Sequence, residues 1–213
     1  MTRLLGVGVL VALAATSCRS SGSAAPALVQ PGAPGQPTRE VSAAAAAGAA
    51  PGVSDADVQF MQDMLIHHAQ AVEMTALLRS RSTRDDMRLL AGRIEASQDD
   101  EMAFMRRWLE ARRRTVPDAH AHHEHGGTLM PGMLTPAEME RLAASSGAVF
   151  DRLFLEGMIK HHAGALDMVA QLFATPRAGE DTEIFGFASD VDADQRIEIA
   201  RMEGMWLDLT RSR

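Results

Sequence analysis

Two segments of the sequence repeat one set of side chains that could bind a metal ion. Each segment places a tandem histidine between two methionines, at the same internal spacing. The residues are Met64, His67, His68 and Met74 in the first copy and Met158, His161, His162 and Met168 in the second. Packing alone preserves apolar positions in a repeat, but it gives no reason to keep a histidine pair between two thioethers. The repeat therefore predicts a functional polar site.

The ligand types in the repeat favour copper. Thioether sulfur and neutral imidazole suit Cu(I), and imidazole also suits Cu(II), whereas a carboxylate-rich bundle suits iron or manganese. Secondary candidates follow each copy, and they are Glu101, Met102, Met105, Glu198 and Met202. Four more lie in the loop between the copies, at His120, His122, His123 and His125. The alternative interpretation is structural: the methionines fill a core, the histidines satisfy buried hydrogen bonds, and the loop is a solvated linker. The histidine-rich loop alone does not identify the metal, because zinc and nickel bind such segments too.

Helical periodicity positions these residues. Apolar side chains recur three or four positions apart, and Ser54, Thr83 and Thr135 are suited to cap the segments that follow them. The predicted helices span about 55–80, 83–113, 135–145, 147–174 and 181–211, and no strand-like alternation is present. Pro117 is expected to stop the second helix.

The two copies therefore form two repeated helical hairpins. The repeats cover about 55–113 and 147–211, with a His/Met-rich crossover linker at 114–146. Four long helices in two antiparallel hairpins predict an all-α fold, a four-helix bundle. Gln98 with Glu101, and Gln195 with Glu198, are expected to face the histidines.

The repeated motif resembles the bacterial family called domain of unknown function 305. The resemblance covers about residues 55–210 and rests on the doubled Phe-x-x-x-Met-x-x-His-His-x-x-Ala-x-x-Met unit, on Gln-x-x-Glu-Met/Ile-x-x-Met, and on Met130-Pro-Gly-Met133-Leu-Thr. It implies a ferritin-like four-helix bundle in exported proteins, some of which bind copper and are linked to copper tolerance. It also marks the eight repeated Met and His positions as the family signature. Lys160 stands where the first copy has Ile66, so the two halves are not expected to bind alike.

The first quarter of the chain, residues 1–53, differs in composition from the rest. Residues 1–17 combine Arg3 with an apolar run from Leu4 to Ala15, which is typical of an export signal and too short for a stable membrane span. The run ends before Cys18, as in a bacterial lipobox, so Cys18 is expected to carry a lipid that anchors the protein to a membrane; ordinary cleavage with a free thiol is the alternative. Residues 18–53, rich in Ser, Ala, Pro and Gly, predict a disordered tether, and 54–213 one domain.

These observations favour an exported, envelope-located copper-binding protein without enzymatic activity. A net charge of -7 and the absence of a basic, aromatic-rich patch argue against a nucleic-acid partner. One rival is a ferritin-like oxidoreductase with metal held by one histidine of each pair together with Glu101 and Glu198, although neither glutamate belongs to the Glu-x-x-His pair of such enzymes. The other rival is a metal-free envelope scaffold with a buried hydrogen-bond network.

Overall fold

The computed structural model describes residues 28–30, 35–42, 52–118 and 129–211. Within them lie five helices: α1 (Asp55–Arg81), α2 (Asp85–Ala111), α3 (Pro136–Ala144), α4 (Gly147–Ala174) and α5 (Thr182–Arg211). The prediction of a helical domain is confirmed. Two short strands, β1 (Leu28–Gln30) and β2 (Arg39–Val41), pair antiparallel inside the segment predicted as a tether. Among the described residues, no helix is both long and apolar enough to cross a membrane.

Two of the helices begin at the capping residues expected from the sequence. The Ser54 hydroxyl accepts a hydrogen bond from the Asp57 backbone N–H, and the Asp57 carboxylate accepts one from the Ser54 N–H. Thr135 and Glu138 make the same reciprocal pair ahead of α3, with Pro136 at its first position. These capping boxes satisfy backbone donors that the first helical turn leaves unpaired.

The predicted start and end of the second helix were wrong by about two residues. Thr83 does not cap α2; the helix begins after Arg84, whose side chain makes no capping hydrogen bond but pairs with Asp86. At its other end α2 stops at Ala111, because Arg113 adopts a left-handed backbone with φ of 54°. A helix cannot continue through that conformation, so α2 ends before it reaches Pro117.

The helices pack as two hairpins, α1 with α2 and α4 with α5, which meet through α1 and α4. Buried apolar side chains form two clusters. The first core contains Met61, Met64, Met102, Met105 and Met168, and the second core contains Met74, Met87, Met158 and Met202. Each core takes residues from early in one copy and late in the other, so α1 and α4 run antiparallel. The four histidines lie between the two cores.

Candidate functional site

The tandem histidines of α1 and α4 come together in one buried layer. His67, His68, His161 and His162, here called the histidine layer, are each at most 1% exposed. The rings of His67 and His161 face each other, with centroids 3.8 Å apart and planes tilted by 37°. Neighbouring residues on a helix point about 100° apart, so His68 and His162 are directed away from this contact. His67 and His161 are thus the central pair, and His68 and His162 the outer pair.

Backbone carbonyls fix the protonation of the central pair. His67 donates from Nε2 to the Pro131 carbonyl, and His161 donates from Nε2 to the His67 carbonyl, both at 2.9 Å. Since a carbonyl oxygen can only accept, the ring proton resides on Nε2 and Nδ1 keeps a free lone pair. Neither Nδ1 has a hydrogen-bond partner among the described residues.

Burial keeps the central pair uncharged. It lowers the pKa of His67 to about 3, assisted by the neighbouring His68 and opposed by the hydrogen bond to Pro131. Burial likewise holds the pKa of His161 well below its usual range, and His67 adds to the effect. Both rings are therefore neutral near pH 7, which is the form that binds metal ions.

Glutamates from the flanking helices hold the outer pair. His68 Nε2 lies 2.5 Å from a carboxylate oxygen of Glu101 on α2, and His162 Nε2 lies 2.6 Å from one of Glu198 on α5. The Nδ1 atoms of both rings are again buried without a partner in the described part of the chain. A carboxylate on one ring nitrogen is the usual support for an imidazole that ligates through the other. Glu101 and Glu198 therefore sit behind the histidines.

The signature methionines are divided between the two cores. Met64 of α1 joins Met168 of α4 in the first core, while Met74 of α1 joins Met158 of α4 in the second. All four are at most 7% exposed. The secondary candidates Met102 and Met105 lie in the first core, and Met202 lies in the second. Thioether groups thus belong to the apolar clusters on both sides of the histidine layer.

Residues that sequence reasoning missed attach the linker to the site. Gln70 donates to the Leu134 carbonyl at 3.0 Å and accepts from the Leu134 N–H at 2.7 Å. At the equivalent position of the second copy stands Gly164, where a Cβ atom would lie only 2.0 Å from the Pro131 carbonyl oxygen. Gly132 has a φ of +74°, and a Cβ atom there would lie 2.5 Å from the Lys160 carbonyl oxygen of α4. The exchange of Gln70 for Gly164 between the two copies was the available signal.

Two glutamines add to the unpaired polar atoms. Gln98 and Gln195 occupy equivalent positions one turn before the two glutamates, and each is 1% exposed. Their Oε1 atoms have no partner among the described residues. Buried polar groups are normally hydrogen-bonded. Both halves therefore contain a buried glutamine acceptor without a partner among the described residues, one turn before the glutamate that bonds to the outer histidine.

The acidic and histidine side chains of the described residues form no further cluster. Across the described ranges, no three His, Cys, Asp or Glu side chains are grouped so that they could hold one ion. His120, His122, His123, His125 and Cys18 lie outside the described residues.

The sequence from residue 57 to 206 matches the model of the family described as domain of unknown function, DUF305. The chain belongs to the DUF305 family. No curated protein matches it. Two DUF305 structures are similar to this chain. A protein from Streptomyces coelicolor that is thought to be secreted is 29% identical with a TM-score of 0.62, and the match covers 73% of this chain and 94% of that one. A fragment from Deinococcus radiodurans is 32% identical with a TM-score of 0.62, and the match covers 75% of this chain and 98% of that one.

A third similar structure is CopM in a Cu(II)-bound form, at 27% identity and TM-score 0.59 over 71% of this chain and 96% of that one. CopM in a Cu(I)-bound form is 25% identical, with a TM-score of 0.56 over 71% of this chain and 96% of that one. A DUF305 fold thus recurs in a protein crystallised with copper.

Proposed function

We propose that this DUF305 protein is an exported copper-binding protein that holds Cu(I) as cargo, without an enzymatic reaction. The four long helices α1, α2, α4 and α5 would form a ferritin-like four-helix bundle around the ion. The structures of CopM with Cu(I) and Cu(II) support copper as the metal.

The observation that carries the proposal is the set of four buried Nδ1 atoms. Each belongs to a histidine whose Nε2 is engaged by a carbonyl or a carboxylate, and each lacks a hydrogen-bond partner among the described residues. Leaving a buried acceptor unpaired costs about 1–3 kcal/mol. Four unpaired Nδ1 atoms in one layer therefore lower the stability of the metal-free fold. A soft cation can accept their lone pairs, and its binding would offset this cost.

The donors fall into two equivalent sets, one in each half. On α1, Met64 lies one turn before His68, so both project from one helix face. On α4, Met158 stands in the same relation to His162. The first core adds Met105 from α2, and the second core adds Met202 from α5. Each half would thereby offer at least one imidazole and two thioethers, a combination that favours Cu(I) over zinc.

Cell-envelope location is part of the proposal. The apolar run and Cys18 support export with a lipid anchor, and the similar Streptomyces coelicolor protein is thought to be secreted. Copper capture by soft ligands suits that location, since the reducing cytosol is where thiols compete for the ion. The histidine-rich loop at 120–125 would add weaker binding.

A competition titration tests the assignment. The purified protein should take Cu(I) from a coloured Cu(I) chelator and should not release it when excess Zn(II) is added. A preference for zinc, or no competition with the chelator, would overturn the proposal. In that case the metal-free scaffold would remain, and it already has one observation in its favour: every signature methionine is packed in an apolar core.

A further inference from the structure

The two copies of the repeat differ in how deeply they bury one signature methionine. Met74 and Met168 occupy equivalent positions, the first on α1 and the second on α4. Met74 is 0% exposed, as are Met64 and Met158, whereas Met168 is 7% exposed. Neither of the two proposed donor sets contains Met74 or Met168. Met168 is thus the signature methionine that solvent can reach, and it has no role in those sets.

Met168 is exposed because it lines a groove between α1 and α4. The groove has a volume of about 200 Å³. Helix α1 contributes Gln59, Phe60 and Asp63 to its lining, and α4 contributes Met168, Gln171 and Leu172. Among the described residues that line the groove, Asp63 is the only charged one. A cation in the groove therefore meets a thioether, uncharged groups and one carboxylate, with no basic side chain in the lining.

The equivalent surface of the second copy is closed by the linker. Gly157 stands where the first copy has Asp63. A Cβ atom on Gly157 would lie 3.1 Å from the Leu134 side chain and 3.2 Å from the Met74 methyl group. Leu134 of the linker thus packs beside Met74 in the second core, in space that the glycine leaves open. Met74 is sealed from solvent for this reason, and Met168 is not.

Met168 also connects the groove to the proposed copper ligands of the first half. It lies in the first core together with Met64 and Met105, which both belong to the first donor set. Thioether sulfur is a soft ligand that suits Cu(I). An ion held by Met168 could therefore pass to a second thioether by ligand exchange, without returning to water.

We propose that Met168 is the entry ligand of the first half, which takes a soft monovalent cation from the α1–α4 groove and passes it to Met64 and Met105. The inference rests on the proposed function. Carboxylate oxygen is a poor ligand for a soft ion compared with thioether sulfur, so Asp63 can attract Cu(I) or Ag(I) without retaining it. Met74, at the equivalent position, has no entry role because Leu134 covers it.

The first test measures association kinetics with Ag(I), added as the nitrate, as a soft and redox-stable probe. The chain has two tryptophans, and Trp108 lies in the first core with Met105. In a Trp206→Phe background, Trp108 alone should report silver that reaches Met105, through quenching of its fluorescence. In stopped-flow mixing, Met168→Leu should slow this quenching by about threefold or more, while the equilibrium affinity stays unchanged.

Met74→Leu in the same background is the matched control. It makes the same substitution at the equivalent position of the repeat, on a side chain that is 0% exposed. Exchanges between Met and Leu conserve volume and cost less than about 1.5 kcal/mol, so both variants should fold. The association rate of the Met74→Leu variant should equal that of the parent protein.

Nuclear magnetic resonance of isotope-labelled methionine methyl groups observes the entry ligand directly. The signals that disappear in Met168→Leu and Met74→Leu identify these two methionines. In a variant with His67→Ala and His68→Ala, the Met168 signal should still shift on addition of Ag(I), because the entry ligand does not depend on the final donors. The Met74 signal should stay in place. A Met168 signal that does not move would exclude it as a ligand of the entering ion.

The outcomes separate this inference from the proposed function. A parental rate in Met168→Leu, or an equal slowing by Met74→Leu, would overturn the entry route while the proposed function stands. A loss of equilibrium affinity in Met168→Leu would place this methionine in the final donor set and would also contradict an entry role. If the wild type binds neither Ag(I) nor Cu(I), the proposed function itself fails.

Discussion

The two halves of the molecule share their histidines and glutamates but differ around them. His68 with Glu101 and His162 with Glu198 make nearly the same contact, at 2.5 and 2.6 Å. After Glu101, however, the chain has Met102, and after Glu198 it has Ile199. Met102 lies in the first core, whereas Ile199 packs against the second. In the proposed copper sites, the two halves would therefore differ in the side chain that follows each glutamate.

The central histidines differ in what holds them. His67 bonds to the linker through Pro131, whereas His161 bonds to the backbone of α1 at His67. The linker in turn is fastened by Gln70 on α1 and accommodated by Gly164 on α4. The linker is a single segment between two copies, so it cannot make the same contacts with both. A repeated sequence therefore produces an asymmetric site.

The largest expected effect comes from removing the histidines one half at a time. His67→Ala with His68→Ala should weaken Cu(I) binding in the first half more than about 100-fold, because it removes ligands and not only their supports. Quenching of Trp108, which lies in the first core with Met105, reports this binding. His161→Ala with His162→Ala should do the same in the second half, where Trp206 packs against the second core with Met202.

Circular dichroism on the same variants provides the control. Helicity should remain close to that of the wild type, since alanine favours helices. A loss of fold in the metal-free variants would assign the histidines to a structural hydrogen-bond network instead.

The pH dependence of stability tests whether the central pair is neutral in both halves. The unfolded chain binds a proton on each histidine below a pH of about 6.5, but folded His67 does so only near its pKa of about 3. Stability is therefore fully present above pH 6.5 and is lost as pH falls toward 3. Between pH 7 and 5, His67 alone should cost about 2 kcal/mol in urea unfolding of the metal-free protein. A pH-independent free energy would contradict the neutral pair.

Gly164→Ala tests the linker as the source of asymmetry. The new methyl group would lie 2.0 Å from the Pro131 carbonyl oxygen, so the linker must shift and the bond to His67 must weaken. Overpacking of this kind costs about 1–3 kcal/mol. Gly186→Ala on α5 is the matched control, because its Cβ meets nothing within 4 Å. It should stabilise the helix by about 0.5–1 kcal/mol. Equal effects of the two substitutions would argue against the close contact with the linker.

The smallest expected effect separates the halves by their thioethers. Met102→Ile gives the first half the residue found in the second, and should lower its Cu(I) affinity by about 1 kcal/mol, or roughly fivefold. Ile199→Met should raise the affinity of the second half by a similar factor. Tryptophan quenching measures both, and no change in either would show that the additional methionine only packs.

Helix limits and helical periodicity were accessible from the sequence alone. The predicted span of 147–174 coincides with α4 (Gly147–Ala174), and the caps at Ser54 and Thr135 are confirmed. Such features depend on residues within one or two turns of each other. The error at Thr83 also arises from neighbouring residues. Arg84 occupies the N-cap position without a side-chain capping hydrogen bond, and its side chain pairs with Asp86.

The repeat also determined which side chains could form a site, but only the tertiary structure decided how they meet. Sequence spacing left open which histidine of each pair is central, and it placed Met64 and Met74 in one candidate ligand set. The antiparallel packing of α1 and α4 brings His67 against His161 and sends the two methionines to different cores. The contacts that fix the central rings span 64 and 94 residues. Local periodicity contains no information on such distances, because they depend on how two separate helices and a linker pack against one another.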